Sequence, residues 1–232
     1  MGDGFSVILG ILIGGLILVT VGLSLMVFVT GGLSRRSVCF AMMVILLAAY
    51  SIIGFVYTNT PVISMYSVMA SDIVVPLFGF FVFASTLALK RMPRKQFFLI
   101  FGLALLPVLI YWANWTWWPN VSLSTDAVYL DPETGAKISV TNPFFMIWVY
   151  ILLLTYCAMA VYTYTSVIKE NRQEHLKKRL KLARIGLIVG FIGALSMEAF
   201  VGIIPYAHSI GHVLLFPLVL FSYKAYMSDY SD

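Results

Sequence analysis

Two acids and two histidines stand inside otherwise apolar segments of the chain: Asp72, Glu198, His208 and His212. They are the residues whose types can do chemistry. His208-Ser-Ile-Gly-His212 has i, i+4 spacing, which puts both imidazoles on one face of a helix. An ionisable group within a bilayer costs at least about 2.5–3.5 kcal/mol on insertion scales for Asp, so each is expected to face a bundle interior or a watery cavity. Three readings stand. In one, Asp72 and Glu198 hydrogen-bond to His, Tyr or Ser in a polar network that holds helices in register. In another, the four line an outward-opening pocket for a ligand or protons, with His212 titrating near neutral pH beside a carboxylate. In the third, His208 and His212 join Asp72 or Glu198 as the three protein ligands of a zinc site.

Other cofactors fit poorly. Bis-histidine haem needs imidazoles on opposing helices, and these two share one. Retinal needs a lysine in mid-membrane, whereas Lys224 stands at the end of the last apolar run. There is no Gly-rich phosphate loop, nucleophile elbow or cysteine metal motif.

The elements that must position these residues follow from composition. Of 232 residues, 61% are apolar and only 11% charged, and the mean hydropathy is +0.95. Soluble domains carry about 25% charged residues. The apolar runs are continuous rather than alternating, which excludes a transmembrane barrel. They occur at about 5–30, 37–57, 64–89, 96–112, 143–168, 183–204 and 207–226, each near the roughly 17–25 residues a spanning helix needs. The expectation is an all-α polytopic membrane protein, a single seven-helix bundle over residues 1–232. The first run lacks a basic leader and is too long for a signal peptide, so it reads as a retained helix.

Every one of the 15 Lys and Arg residues except Lys137 falls on one side of these runs. Positive charge marks the cytoplasmic side, so the amino terminus is expected outside and the carboxyl terminus inside, in the plasma membrane. The net charge of +5 then follows topology and is no nucleic-acid signal. Asp72 stands about 12 Å inside the outer end of the third run and Glu198 about 9 Å inside that of the sixth, at 1.5 Å per residue. His208 begins the seventh run, so all four share the outer part of the bundle. Cys39 and Cys157 fall near the inner end of one run and inside another, and no disulfide is expected.

All five tryptophans (Trp112, Trp115, Trp117, Trp118 and Trp148) gather at the outer level, as an aromatic belt does. A cap over a pocket is the other reading. In the outer loop 113–142, AVYL, DPETG and AKISV suggest a β-hairpin. Asn114-Trp-Thr116 and Asn120-Val-Ser122 match the glycosylation pattern. The basic inner connection 169–184 is expected to extend both flanking helices. Its ordinary role is anchoring beside anionic headgroups; docking of a cytosolic partner on Lys177, Lys178 and Arg179 is the alternative. Gly10/Gly14 and Gly186/Gly190 have the spacing that lets helices approach closely, and Pro76, Pro107 and Pro217 are expected to kink their helices.

This layout resembles the seven-helix sensor region of some bacterial histidine kinases and diguanylate cyclases. The likeness includes the third run, SDIVVPLFGFFVFAST, the large outer loop before the fifth run and the basic inner link. It implies a sensor whose output passes through a separate partner, since no kinase or cyclase domain follows the seventh run. A fainter resemblance is to seven-helix metal-dependent membrane hydrolases such as the alkaline ceramidases. His208 and His212 match their paired histidines and Asp72 their third-helix aspartate, but no histidine precedes His175 here. The leading expectation is a non-enzymatic sensor-like or accessory membrane protein with a membrane or cytosolic protein partner. A zinc-dependent intramembrane hydrolase and a purely structural subunit are the alternatives.

Overall fold

A computed structural model of the chain describes the backbone of residues 2–59, 65–117, 128–130, 137–139, 143–199 and 207–227. In chain order these form α1 (Gly2–Gly31), α2 (Arg35–Asn59), α3 (Met65–Leu89), α4 (Arg94–Trp117), β1 (Val128–Leu130), β2 (Lys137–Ser139), α5 (Pro143–Glu170), α6 (Glu174–Ala199), α7 (Ala207–Leu214) and α8 (Phe216–Met227). The two short strands pair antiparallel, with Tyr129 opposite Ile138. The DPETG turn, the turns near Pro61 and Pro205, Trp118, and the side chains of Trp115 and Trp117 lie outside the described residues. Among the described residues, α1, α2, α4, α5 and α6 are long and apolar enough to cross a membrane. Ile73–Leu89 of α3 and Ile210–Tyr226 of α7–α8 are shorter apolar stretches. The chain is a helical membrane protein.

Local chemistry sets the helix ends. Gly32 follows α1 at φ +56, a left-handed conformation that glycine adopts without a Cβ clash, and its N–H closes on Phe28 O at 3.1 Å. Two residues on, Ser34 Oγ accepts the Ser37 N–H at 3.2 Å and caps α2. The link between α5 and α6 is only residues 171–173, where Asn171 Oδ1 accepts the Gln173 N–H at 3.2 Å. The basic connection is therefore mostly helix.

Burial separates central from peripheral helices. In the most apolar windows of α2 and α5, 56% and 50% of residues are buried, against 28% and 22% in α1 and α4. α1 offers one seam, Ile13, Leu16, Thr20, Ser24 and Val27, and exposes Leu18, Leu25 and Val29. The steps of three and four residues keep this seam on one helix face. α3 serves two cores. Phe78 and Val82 join α2, α5 and α6 in the larger one, while Phe80, Phe83 and Ala84 join α4 and α5 in the smaller. Tyr156 of α5 donates to Ala104 O of α4 at 2.5 Å, next to the carbonyl of Leu103 that Pro107 leaves without its helical donor.

The seventh apolar run is not one helix. It breaks at Leu215, where the N–H turns back to His212 O at 3.2 Å, an i→i+3 closure. Pro217 explains the position. It has no N–H for the Val213 carbonyl, and its ring disfavours helical geometry just before it. Pro76 and Pro107, by contrast, are accommodated within continuous helices.

α6 packs closely against this break. A Cβ at Gly190 would stand 2.9 Å from Leu214 O, and one at Gly186 would stand 2.8 Å from Pro217 O. Both obstacles are backbone, so neither can swing aside. The expected outcome is that Gly186→Ala or Gly190→Ala destabilises the bundle by about 1–3 kcal/mol through overpacking. Gly22→Ala and Gly102→Ala, with nothing within 4 Å of the added methyl, should be neutral or slightly stabilising. Unfolding of the four variants in detergent micelles measures the contrast.

Candidate functional site

His212 lies on α7, one turn above the break. It is 1% exposed, stacked on the Tyr50 ring of α2 at 4.2 Å between centroids and 25° between planes. Its Nε2 stands 3.2 Å from the backbone oxygen of Tyr50. A carbonyl only accepts, so Nε2 carries the proton and donates. In this arrangement that nitrogen is not a metal ligand. His212 thus ties the last apolar run to the second through one ring, by a stack and a hydrogen bond together.

Next to Tyr50 in the chain stands a residue that the sequence reading passed over. Ser51 is fully buried, and its Oγ has no hydrogen-bond partner among the described residues. A helical serine ordinarily returns its hydroxyl to the carbonyl one turn back, as Ser24 does to Thr20 O at 3.1 Å. The only signal available was a small polar residue next to Tyr50 in an otherwise apolar run.

The side chains of Asp72, Glu198 and His208 lie outside the described residues, although their backbones belong to α3, α6 and α7. Helix geometry still gives their heights. α3 meets α6 where Phe78 stacks on Phe191, with centroids 6.2 Å apart and planes at 17°. Asp72 is six residues from Phe78 and Glu198 seven from Phe191, both away from the basic end, about 9 and 10.5 Å along their axes. The two backbones therefore reach closely similar height. Gly211 adjoins Ala194 and Met197, where an added Cβ would stand 3.4 Å from Ala194 O. This sets α7 against α6 one residue before Glu198, with His208 a turn further out. Pro76 also lacks the N–H that would bond the Asp72 carbonyl within α3. Among the described residues there is no group of three His, Cys, Asp or Glu able to hold a metal.

A second polar cluster, at the opposite end, also escaped the sequence reading. Tyr226 of α8 donates to Ser85 O of α3, Tyr164 of α5 stands 3.4 Å from Ser222 Oγ, and Ser85 Oγ donates to Val82 O at 2.9 Å. Tyr164 and Tyr226 are among the largest fully buried side chains. In sequence they are two of 13 tyrosines, and nothing local separates them from lipid-facing ones such as Tyr162. Cys39 and Cys157 are both free and buried.

Near this cluster the basic residues fold back on the bundle. The Arg35 guanidinium donates to Met92 O at 3.4 Å and lies 5.1 Å over the Phe97 ring. Arg36 Nε donates to Ala88 O at 3.3 Å, in the last turn of α3, where carbonyls lack helical donors. Lys90 reaches Ser166 at 3.1 Å and Glu170 at 3.5 Å. Of the three residues expected to dock a partner, Lys177 is paired with Glu174 at 2.7 Å, while Lys178 and Arg179 are exposed.

The two parts of the His212 contact separate by substitution. His212→Phe keeps a ring on Tyr50 and should cost about 0.6–1.7 kcal/mol, the range of an interhelical hydrogen bond in a membrane. His212→Ala removes the ring as well and should cost about 2–5 kcal/mol. Equal losses in an unfolding titration would show that the stack contributes nothing. No protein-family model, no curated protein and no solved structure matches this chain.

Proposed function

We propose that the protein is a sensor-like module or accessory subunit of the plasma membrane, acting through a partner protein. Its polar pocket is formed near the outer end by Asp72, Glu198, His208 and His212. The observation that carries this reading is the placement of His212. It is a titratable ring buried between α2 and α7, immediately above the break in the last apolar run. Below the break, α8 is bonded to α3 and α5 through Tyr226 and Ser222. A change at His212 is thereby mechanically linked to the opposite end of the bundle. The engagement of its Nε2 with a carbonyl favours a conformational strut over a ligand in a hydrolytic zinc site.

Seven spans with an outside amino terminus are part of this proposal. α3 runs 25 residues. α7 and α8 together cover residues 207–227, about 31 Å at 1.5 Å per residue, enough for the hydrocarbon core. The one-sided Lys and Arg distribution supports the orientation.

Two experiments test the proposal. Cysteines placed at Lys137 and His175 are labelled in intact cells with a membrane-impermeant maleimide. Residue 137 should react directly and residue 175 only after permeabilisation, and the reverse pattern rejects the orientation. For the pocket, tryptophan fluorescence of the nanodisc-embedded protein is followed between about pH 5 and 8, the range in which imidazole changes charge. A transition in the parent protein that is absent in His212→Gln and displaced in Glu198→Gln is the expected result. The same curve in all three proteins sinks the pocket.

A further inference from the structure

The cations at the basic end divide into two sets. Arg35, Arg36, Lys90 and Arg184 are engaged within the bundle, Arg184 through Thr165 Oγ1 at 3.1 Å. The carboxylates of this end are engaged too, Glu170 by Lys90 and Glu174 by Lys177. Left over is an exposed set: Arg91, Arg94, Lys95, Lys169, Arg172, Lys178, Arg179, Lys181 and Lys224. Among the described residues none of these nine has a salt bridge or a hydrogen-bond acceptor for its side chain.

Packing holds this set at a fixed height. Lys178, Arg179 and Lys181 are interleaved with buried Leu176, Leu180 and Ala183, so the first turns of α6 are pinned to the bundle. Arg94 and Lys95 open α4 just before buried Phe97. The next turns are exposed and apolar on both helices: Phe98, Leu99 and Leu103 on α4, and Leu182, Ile185 and Val189 on α6. Cations without a salt bridge thus border an exposed apolar surface on two separate helices. An anionic phospholipid has the matching form, a negative headgroup above an acyl chain. A soluble acidic protein would match the charge but leave the apolar surface beneath it unmatched.

We propose that this collar binds the headgroups of anionic phospholipids, with the acyl chains lying along α4 and α6. The inference is independent of the outer pocket. The test uses the full chain in nanodiscs of phosphatidylcholine, with or without phosphatidylglycerol. At low salt, phosphatidylglycerol should raise the Tm by roughly 2–8 °C for a chain of this size. The rise should vanish in about 1 M salt, where the screening length falls to about 3 Å.

In the combined variant Arg94→Gln, Lys95→Gln, Lys178→Gln, Arg179→Gln, Lys181→Gln, the Tm in phosphatidylcholine should match the parent's, with the rise abolished. Arg36→Gln, from the engaged set, should lower Tm in both bilayers and keep the rise. If the combined variant fails to fold, Lys178→Gln with Arg179→Gln should lose part of the rise, and native mass spectrometry of the parent should find retained phosphatidylglycerol in excess of its share of the bilayer. Equal Tm in the two bilayers overturns the assignment. So does a rise that survives in the variants, or one reproduced by adding inorganic phosphate to phosphatidylcholine discs.

Discussion

A methyl group at Gly186 or Gly190 would stand within 3 Å of a backbone oxygen in the broken last run, and this absence of side chains is the constraint on which the bundle depends. In lipid, apolar packing gains nothing from the exclusion of water, so helices associate through close van der Waals contact and hydrogen bonds. α6 achieves the contact by having no side chain where the Leu214 and Pro217 carbonyls project. The break supplies the matching shape on the other side. Because α7 is seated this way, His212 reaches Tyr50. Because α8 is seated this way, Tyr226 reaches Ser85.

Among the described residues, polar contacts between helices are few and lie mostly toward the two ends of the bundle. Toward the end away from the basic residues, one histidine ring joins α7 to α2. Toward the basic end, two tyrosines and two serines join α8 to α3 and α5, with Arg36 and Lys90 closing the helix ends beside them. Between these levels the contacts are mostly aromatic and aliphatic, Phe78 on Phe191 among them, with the Tyr156 bond to Ala104 O joining α5 to α4. Such an arrangement resists sliding of helices at two levels and leaves the middle free to repack around the break.

The helical membrane character was legible because the bilayer imposes it through length and hydropathy alone. Gly186/Gly190 was legible for a similar reason, since small residues at that spacing have few other uses in a membrane helix. The break at Leu215 was only half legible. Pro217 announces a disturbance, but its location depends on which carbonyls α6 can accommodate. His212 stood out as a rare residue, yet its partner, the main-chain oxygen of Tyr50, carries no sequence signature. Tyr164, Tyr226 and Ser51 were illegible because an apolar run does not record which of its faces meets protein and which meets lipid.

The order of packing along the chain bears on how the protein is made. α1, α2 and α3 pack consecutively, and α6 packs on α7 and α8, so both ends of the chain assemble from sequence neighbours. The smaller core closes when α4 and α5 reach α3. The larger one is finished only when Leu215, Leu218, Val219, Ala225 and Tyr226 arrive, and these follow all its other members in the chain. Until then the α6 glycines and the buried face of α2 remain uncovered within the bilayer. A chain stalled before Leu215 would therefore present an open seam of bare backbone within the bilayer. The break between α7 and α8 is the clasp that closes this seam.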